Sequence, residues 1–286
     1  MKKLKGISMF FLTFIAFFCS STQIILAEDV IKEILSPIHG QGLDEERLFS
    51  ILEGRLVIFL GEVHSNPTHH MVHERILKAL VSRYGVVNLA MEALPRKAQA
   101  IIDRFVEGKI PEAEFLKQVQ WDHVWGFDYG LYRPVVDLAI SSNGRVWGIG
   151  ADLDAIKRIA RSGMQDLKED LISPLGVYPG PSSYRDSVKA TYEALGQHRQ
   201  IGPFEHFFLA QLARDELMAE NLKNAFLADP KRTVVIAGNQ HIVNYWGIPF
   251  RFLRRLGLPI ATLVVYSDSQ REVLRPYLNE FLWITP

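Results

Sequence analysis

Five short apolar segments recur along the chain, and each is rich in β-branched or aromatic residues. They show little alternation of apolar and polar positions, and they are Arg55–Leu60, Val86–Met91, Arg145–Ile149, Thr233–Ala237 and Ile260–Tyr266. Strands of a sheet that is covered on both faces have this pattern, because neither side of the strand meets water. The sequence therefore predicts five buried strands.

Longer segments with a helical spacing of apolar residues lie around and between these strands. The predicted helices are His69–Arg83, Arg96–Glu107, Glu112–Gln120, Leu131–Ser141, Asp154–Arg161, Tyr184–Leu195, Phe204–Leu227 and Phe250–Leu256. Strands separated by helices indicate an α/β fold, with a mostly parallel central sheet, flanking helices and right-handed crossovers. The proline-rich segment Ser173–Ser183 predicts a loop that opens a helical insertion before the fourth strand.

The N-terminal residues have the pattern of a secretory signal peptide. Lys2, Lys3 and Lys5 precede an apolar run over Met9–Phe18, which only Thr13 interrupts. The run is shorter than the roughly 20 residues that a membrane-spanning helix needs, although a retained anchor is the alternative. We expect cleavage after the small residue Ala27, so that residues 1–27 are removed and residues 28–286 form a single exported α/β domain.

Cys19 is the only cysteine, and Phe17 and Phe18 precede it where a lipoprotein signal would have small residues. The exported chain is therefore expected to be periplasmic or peripherally membrane-associated, without disulfides and without thiolate metal ligands. Lys and Arg together number 32, equal to Asp and Glu, so the formal net charge is zero. This balance argues against general binding to nucleic acid or acidic lipid.

Polar residues follow the predicted strands at the point where each strand ends. Two Gly-x-x-His motifs supply Glu62, His64 and His241, and the second and third strands lead into Glu92 and Asp152. Ligands of open parallel sheets bind beyond the carboxyl ends of the strands. We therefore predict that these five side chains meet at one edge of the sheet and form a functional site.

A cluster of histidines follows the first of these motifs. Thr68 is placed to cap a helix, on which His69 and His73 lie four residues apart with a spacing that can hold a metal. His70 shares a different face with Glu74 and is a further site candidate. The start of this helix would favour anionic groups of a ligand.

Aromatic residues are dense in two places near the predicted site. The segment Trp121–Tyr129 is predicted to be a loop, and Tyr132 and Arg133 follow it, while Tyr245 and Trp246 follow the second motif. Flat aromatic surfaces beside a polar site suit a flat ligand, although ordinary packing against the sheet explains them equally well.

The segments LGEVHSNPTHH, LAMEAL, FFLAQLARDELMAENL and VVIAGNQHIVNYWGIPFRF occur in this order. The chain resembles the ChaN family, the haem-binding uptake proteins of the Tiki superfamily, from about Leu56 to Leu256. The resemblance implies an exported haem-binding protein of bacterial iron uptake, with two subunits paired around haem and iron held through a tyrosine oxygen. No motif marks that tyrosine, so Tyr132 and Tyr245 are both candidates.

Two functions are consistent with these residues. The first is haem binding without enzymatic activity, with a second copy of the chain and outer-membrane haem uptake machinery as the expected partners. The second is a divalent-metal-dependent hydrolase, a peptidase or esterase, because superfamily relatives use equivalent residues in this way. The expected haem-binding residues are His64, His70, Tyr132, Arg133, His241 and Tyr245. The expected ligands of a metal such as zinc are Glu62, His64, Glu92 and His241, with Glu62 and Glu92 as the catalytic carboxylates of the alternative.

The two lines of argument favour different functions. Histidines and carboxylates at strand ends are what a catalytic metal needs, so the residues alone slightly favour the hydrolase. The family resemblance favours haem, with Arg133 or the helix start near Thr68 meeting the propionates. We rank haem binding first.

Overall fold

The computed structural model describes residues 30–37, 41–163, 176–196, 202–269 and 280–286. The predicted signal peptide, its cleavage after Ala27 and the single Cys19 lie outside these ranges, as do positions 173–175 of the predicted loop. No helix in the described ranges is long and apolar enough to cross a membrane.

The described residues form one eight-stranded sheet in the order β2-β1-β8-β7-β3-β6-β4-β5. The strands are β1 (Glu33–Ser36), β2 (Gln41–Leu43), β3 (Val57–Glu62), β4 (Asn88–Pro95), β5 (Val146–Gly150), β6 (Thr233–Gly238), β7 (Ile260–Ser267) and β8 (Phe281–Thr285). The six strands from β8 to β5 are parallel, whereas β1 pairs in the antiparallel sense with both β8 and β2. The predicted α/β fold with a mostly parallel sheet is confirmed.

Helices cover both faces of this sheet. They are α1 (Glu45–Leu52), α2 (Pro67–Tyr84), α3 (Gln99–Val106), α4 (Glu112–Gln118), α5 (Trp121–Val124), α6 (Arg133–Ser141), α7 (Leu153–Ser162), α8 (Ser182–Gly196), α9 (Phe204–Ala228), α10 (Asn239–Ile242) and α11 (Ile248–Leu256). Along β3, Ile58 and Leu60 belong to one apolar cluster, and Val57 and Phe59 belong to another. Every residue of β3 is buried, which explains why its sequence does not alternate.

Two local predictions are wrong. The N-cap of α2 is Asn66, whose side chain accepts the Thr68 N–H, so Thr68 lies inside the helix and does not cap it. The segment Trp121–Tyr129 is not a continuous loop, because it contains α5 and the start of a 3₁₀ turn. Burial of Trp121 and the hydrogen bond from its indole to the Phe127 carbonyl hold this segment in a compact form.

The register of β3 and β6 places the two Gly-x-x-His motifs side by side. Glu62 at the end of β3 pairs with Gly238 at the end of β6. A Cβ atom at Gly61 would lie 2.3 Å from the Asn239 side-chain oxygen and 2.9 Å from a methyl of Val264. Glycine at position 61 therefore allows the two strand ends to approach closely.

Candidate functional site

The carboxylate of Glu62 is the centre of a buried polar cluster at the end of β3. Its Oε1 atom accepts the Tyr132 hydroxyl at 2.6 Å and lies 2.9 Å from Nδ1 of His64. Burial alone would raise the pKa of Glu62, but the hydrogen bond from His64 and the electrostatic influence of His73 and His70 hold the pKa well below its usual range. Glu62 is therefore an anion in the folded protein.

Two buried histidines of α2 face the other carboxylate oxygen. Nδ1 of His70 lies 3.5 Å from Oε2 of Glu62, and Nδ1 of His73 lies 3.4 Å from it. The opposite ring nitrogen of each histidine is bonded to a backbone carbonyl, at 3.0 Å for His70 to His64 and 3.1 Å for His73 to Gly61. These ligand atoms of Glu62, His70 and His73 all lie within 4.8 Å of one another.

The expected pairing of His69 with His73 differs from the structure. Nδ1 of His69 accepts the Val63 N–H at 3.1 Å, so this histidine supports the backbone of the first motif. Burial lowers the pKa of His69 to about 4, which keeps the ring neutral. The two histidines that converge on Glu62 are thus three residues apart on α2, and their spacing is not four.

His64 is the more open member of this cluster, with 26% of its side-chain surface exposed. Its ring packs against Trp125 at 4.5 Å and Phe127 at 5.2 Å between centroids. We call these two residues the aromatic collar. A Cβ atom at Gly238 would lie 2.9 Å from Cε1 of His64, so the absence of a side chain there makes room for the imidazole.

The second motif builds a different cluster around His241. Nδ1 of His241 lies 2.6 Å from Asp215 of α9, and Nε2 lies 3.3 Å from Glu92 at the end region of β4. Burial alone would lower the pKa of His241, but the charges and hydrogen bonds of Glu92 and Asp215 raise it to about 9. His241 is therefore an imidazolium held between two carboxylates at neutral pH.

Basic and hydroxyl groups balance the carboxylates of this second cluster. Glu92 pairs with Arg214 and accepts the Gly238 N–H at 2.9 Å. Asp215 accepts the Tyr184 hydroxyl, and the guanidinium of Arg251 lies 3.8 Å from it. All of the carboxylate oxygens in this cluster thus face a donor or a cation.

The structure separates the sequence-predicted metal ligands into two pairs. Glu62 lies with His64, Glu92 lies with His241, and Gly238 lies between the pairs, with its hypothetical Cβ 3.7 Å from Oε2 of Glu92. In the described part of the chain, the three residues whose possible metal-ligand atoms lie close together are instead Glu62, His70 and His73.

The remaining predicted residues lie in several environments. Asp152 caps α7 and pairs with the exposed Lys97 at 2.7 Å. Arg133 is exposed and bonded to Glu112, whereas Tyr132 is fully buried against Glu62. The other candidate tyrosine, Tyr245, donates its hydroxyl to Glu280 at 3.3 Å.

Sequence reasoning missed the helix residues that complete the second cluster. They are Tyr184, Arg214, Asp215, Glu216 and Arg251. One signal was present, because Asp215 and Glu216 interrupt the apolar stripe of α9 between Leu212 and Met218. Charged residues are rarely fully buried unless they are paired, so two acids in a core-facing stripe indicate buried basic partners.

A small crevice opens beside Glu92. Its volume is about 100 Å³, and its lining includes Trp125, Leu153, Ile156 and Arg214. The crevice joins the aromatic collar to the second cluster along the carboxyl edge of the sheet.

The family model described as "Haem-binding uptake, Tiki superfamily, ChaN" matches residues 48–252. The chain belongs to this family. None of the curated proteins matches the chain.

Among solved structures, ChaN of Campylobacter jejuni with cofacial haem is similar to this chain, with a TM-score of 0.69 and 19% identity over 89% of this chain and 96% of that one. A Bacillus cereus protein aligns with a TM-score of 0.44 and 16% identity over 78% and 68% of the two chains. A mutant of the erythromycin esterase EreC aligns with a TM-score of 0.46 and 13% identity over 78% and 72%. The Campylobacter likeness shows a shared fold.

Proposed function

We propose that the protein binds haem at the carboxyl edge of the sheet, with the porphyrin against the aromatic collar and His64 facing the iron. The observation that carries this proposal is the environment of His64, which is partly open to solvent and packed between Trp125 and Phe127. Flat aromatic surfaces beside an imidazole suit a flat ligand that contains iron.

The hydrogen bond between His64 and Glu62 supports imidazole as the iron ligand. Because the Glu62 carboxylate is an anion, Nδ1 of His64 carries the proton and donates it across 2.9 Å. Nε2 then holds the lone pair that can bind a metal. A carboxylate behind a ligating histidine fixes the ring orientation and raises the basicity of the ligand.

The two candidate tyrosines are less suited to bind iron in this conformation. Burial, the charge of Glu62 and the hydrogen bond to it raise the pKa of Tyr132 far above its usual value. Burial also raises the pKa of Tyr245 to about 12, with a further contribution from Glu280. Both phenols therefore keep their protons, whereas a tyrosine that binds ferric iron must give its proton up.

The size of the crevice bears on how haem would sit. Its volume of about 100 Å³ is below the roughly 300–1,000 Å³ of typical ligand pockets. Haem would therefore lie on the open face of the collar, with one side covered by the protein. A second copy of the chain with its own haem would cover the other side, and Campylobacter ChaN has been solved with cofacial haem. The exposed Arg133, which pairs with Glu112 in the free protein, would supply a guanidinium for a propionate.

The proposed setting is the periplasm. Export after cleavage at Ala27 would bring the haem-binding domain to the compartment in which haem arrives during uptake, and the family to which the chain belongs is described as haem-binding uptake. Mass spectrometry of protein from an exporting host tests this part, because a product that begins at Met1 or is acylated at Cys19 would contradict it.

Titration of the purified chain with haemin tests the main proposal. We expect a saturable Soret shift for the wild type, at least tenfold weaker binding for His64→Ala, and weaker binding for Trp125→Ala because the stacking surface is lost. Tyr132→Phe and Tyr245→Phe should leave the spectrum unchanged. A changed spectrum in either tyrosine variant with an unchanged spectrum in His64→Ala would assign the iron to a phenolate instead.

A hydrolase is the second candidate function, and the Asp215–His241–Glu92 array beside the crevice favours it. Because His241 is charged at neutral pH, it would act as a proton donor and not as a metal ligand. Incubation with ester and amide probes tests this candidate. Hydrolysis that is lost in His241→Gln supports it, and no hydrolysis above the buffer rate by folded protein contradicts it.

A further inference from the structure

We propose that Glu62, His70 and His73 form a binding site for a divalent first-row transition-metal cation, which shares Glu62 with the proposed haem ligand His64 and is separate from the second cluster. The three side chains are buried and converge from β3 and α2. This site goes beyond the proposed haem function and does not depend on it.

The hydrogen bonds of the two histidines fix which ring nitrogens are free. A backbone carbonyl oxygen only accepts hydrogen bonds, so Nε2 of His70 carries a proton toward His64, and Nε2 of His73 carries one toward Gly61. In the neutral rings both Nδ1 atoms are therefore lone pairs. Histidines that bind metals commonly donate their other N–H to a backbone carbonyl in this way.

The two oxygens of the Glu62 carboxylate have different surroundings. Oε1 is occupied by donors from Tyr132 and His64, whereas Oε2 is fully buried and has no hydrogen-bond partner. Nδ1 of His73 is also buried without a partner. Buried polar atoms are rarely left without a hydrogen-bond partner. Oε2 of Glu62 and the Nδ1 atoms of His70 and His73 are electron-pair donors that face one another across a short gap. A cation in that gap would bind to all three.

The distances agree with a shared cation. Two ligands that each lie about 2.1 Å from a tetrahedral metal are separated from one another by roughly 3.4 Å. The separations from Oε2 of Glu62 are 3.5 Å to His70 and 3.4 Å to His73. These two separations suit an ion shared by Oε2 and the two Nδ1 atoms, and all three atoms lie within 4.8 Å of one another.

The donor set indicates the class of metal. Two imidazole nitrogens and one carboxylate oxygen suit Zn²⁺, Co²⁺ or Fe²⁺, whereas Ca²⁺ and Mg²⁺ prefer shells made of oxygen. Three protein ligands leave a fourth position for water. The competing explanation is a proton, which would make one of the two histidines an imidazolium paired with Glu62 and leave no room for a metal.

Titration of the haem-free full chain with Co²⁺ tests this site, because four- or five-coordinate Co²⁺ with nitrogen ligands absorbs visible light. We expect one equivalent to bind to the wild type, with Zn²⁺ displacing it. His70→Gln, His73→Gln and Glu62→Gln should each weaken binding at least about 100-fold. Glutamine keeps a donor for the backbone carbonyl in the histidine variants and removes the Nδ1 ligand.

The matched control is His69→Asn, since His69 is buried on the same helix and asparagine retains an acceptor for the Val63 N–H. Its affinity for Co²⁺ should stay within about threefold of the wild type. Circular dichroism of each variant establishes folding, and the rise in wild-type melting temperature with Zn²⁺ gives a readout that needs no variant.

Two results would overturn the site. The first is a folded wild type that binds neither Co²⁺ nor Zn²⁺, which would leave the proton as the occupant. The second is Co²⁺ binding that persists in His70→Gln and His73→Gln but is lost in His241→Gln. Haemin titration of the same samples is scored separately, so the metal site and the haem proposal can fail independently.

Discussion

The two Gly-x-x-His motifs lie side by side and end adjacent parallel strands, yet they build opposite electrostatic environments. At the end of β3, one carboxylate, Glu62, is approached by several imidazoles, and its Oε2 atom has no partner. At the end of β6, one imidazole, His241, is held between two carboxylates that also meet arginines. The first cluster lacks a positive charge that the second one already contains.

This difference suggests different roles: the β3 cluster is suited to bind a ligand, whereas the charges of the β6 cluster neutralise one another. The β6 cluster satisfies its own charges, so its main effect in the free protein is on stability. The β3 cluster has acceptors that face one another, together with a partly open imidazole, so it is suited to take up an external group. The same short motif therefore does not fix the role of its histidine, because the neighbouring helices decide it.

The largest expected effect comes from removing a cation of the β6 cluster. Arg251→Met keeps an unbranched apolar stem but removes the buried guanidinium that lies 3.8 Å from Asp215 and 3.0 Å from Glu216. We expect a loss of about 3–5 kcal/mol in unfolding free energy, as measured by urea denaturation. The control Lys109→Met removes an exposed partner of Glu107 and should change stability by less than about 1 kcal/mol. Equal losses in the two variants would contradict a self-neutralised buried network.

The pH dependence of stability sharpens the same comparison. The pKa of His241 is about 9 in the folded protein and about 6.5 in the unfolded chain. The contribution of His241 is therefore fully present below about pH 6.5 and is lost as the pH rises through 9, with a size on the order of 3 kcal/mol. Urea denaturation between pH 6.5 and 9.5 should show this decline in the wild type and a flatter profile in His241→Gln. A wild-type profile that stays flat over this range, like that of the variant, would show that the imidazole is buried in the neutral form.

A smaller effect is expected where the two clusters touch. Gly238→Ala is compatible with the backbone, since φ is −57°, but its Cβ would lie 2.9 Å from the His64 ring. We expect a loss of about 1–2 kcal/mol and weaker haem binding because the imidazole must shift. Gly54→Ala, where a Cβ would meet no atom within 4 Å, is the control and should leave haem binding unchanged. Wild-type haem affinity in Gly238→Ala would argue against His64 as the group that faces iron.

The central sheet was predictable because its strands are buried on both faces, and the edge of the sheet was not. β1 has four residues, and its partners Leu282–Ile284 lie about 250 positions away in sequence. β8 (FLWIT) is a short apolar run like the five predicted strands, and the prediction leaves it out, whereas β1 (EILS) has no such run. The pairing of β1 with β8 therefore depends on tertiary contacts that a window along the sequence does not include.

The strand-end site was partly predictable for a similar reason. The carboxyl ends of parallel strands meet at one edge, and there Glu62 contacts His64 and Glu92 contacts His241. Asp152, the fifth residue of the predicted site, instead caps α7 and pairs with Lys97. The sequence does not determine which face of α2 points toward the strand ends. The predicted metal-binding pair is therefore His69 and His73, whereas His70 and His73 face Glu62 in the structure. The arginines that neutralise the second cluster come from helices whose orientation the sequence pattern does not determine.

Anomalous diffraction from crystals grown with haemin and Zn²⁺, recorded above the iron and zinc edges, tests this division of roles most directly. The account predicts an iron peak over the aromatic collar near Nε2 of His64, and a zinc peak about 2 Å from the ligand atoms of Glu62, His70 and His73. It also predicts no peak between Glu92 and His241. Either metal bound at the β6 cluster, or iron bound beside Tyr245, would contradict the account.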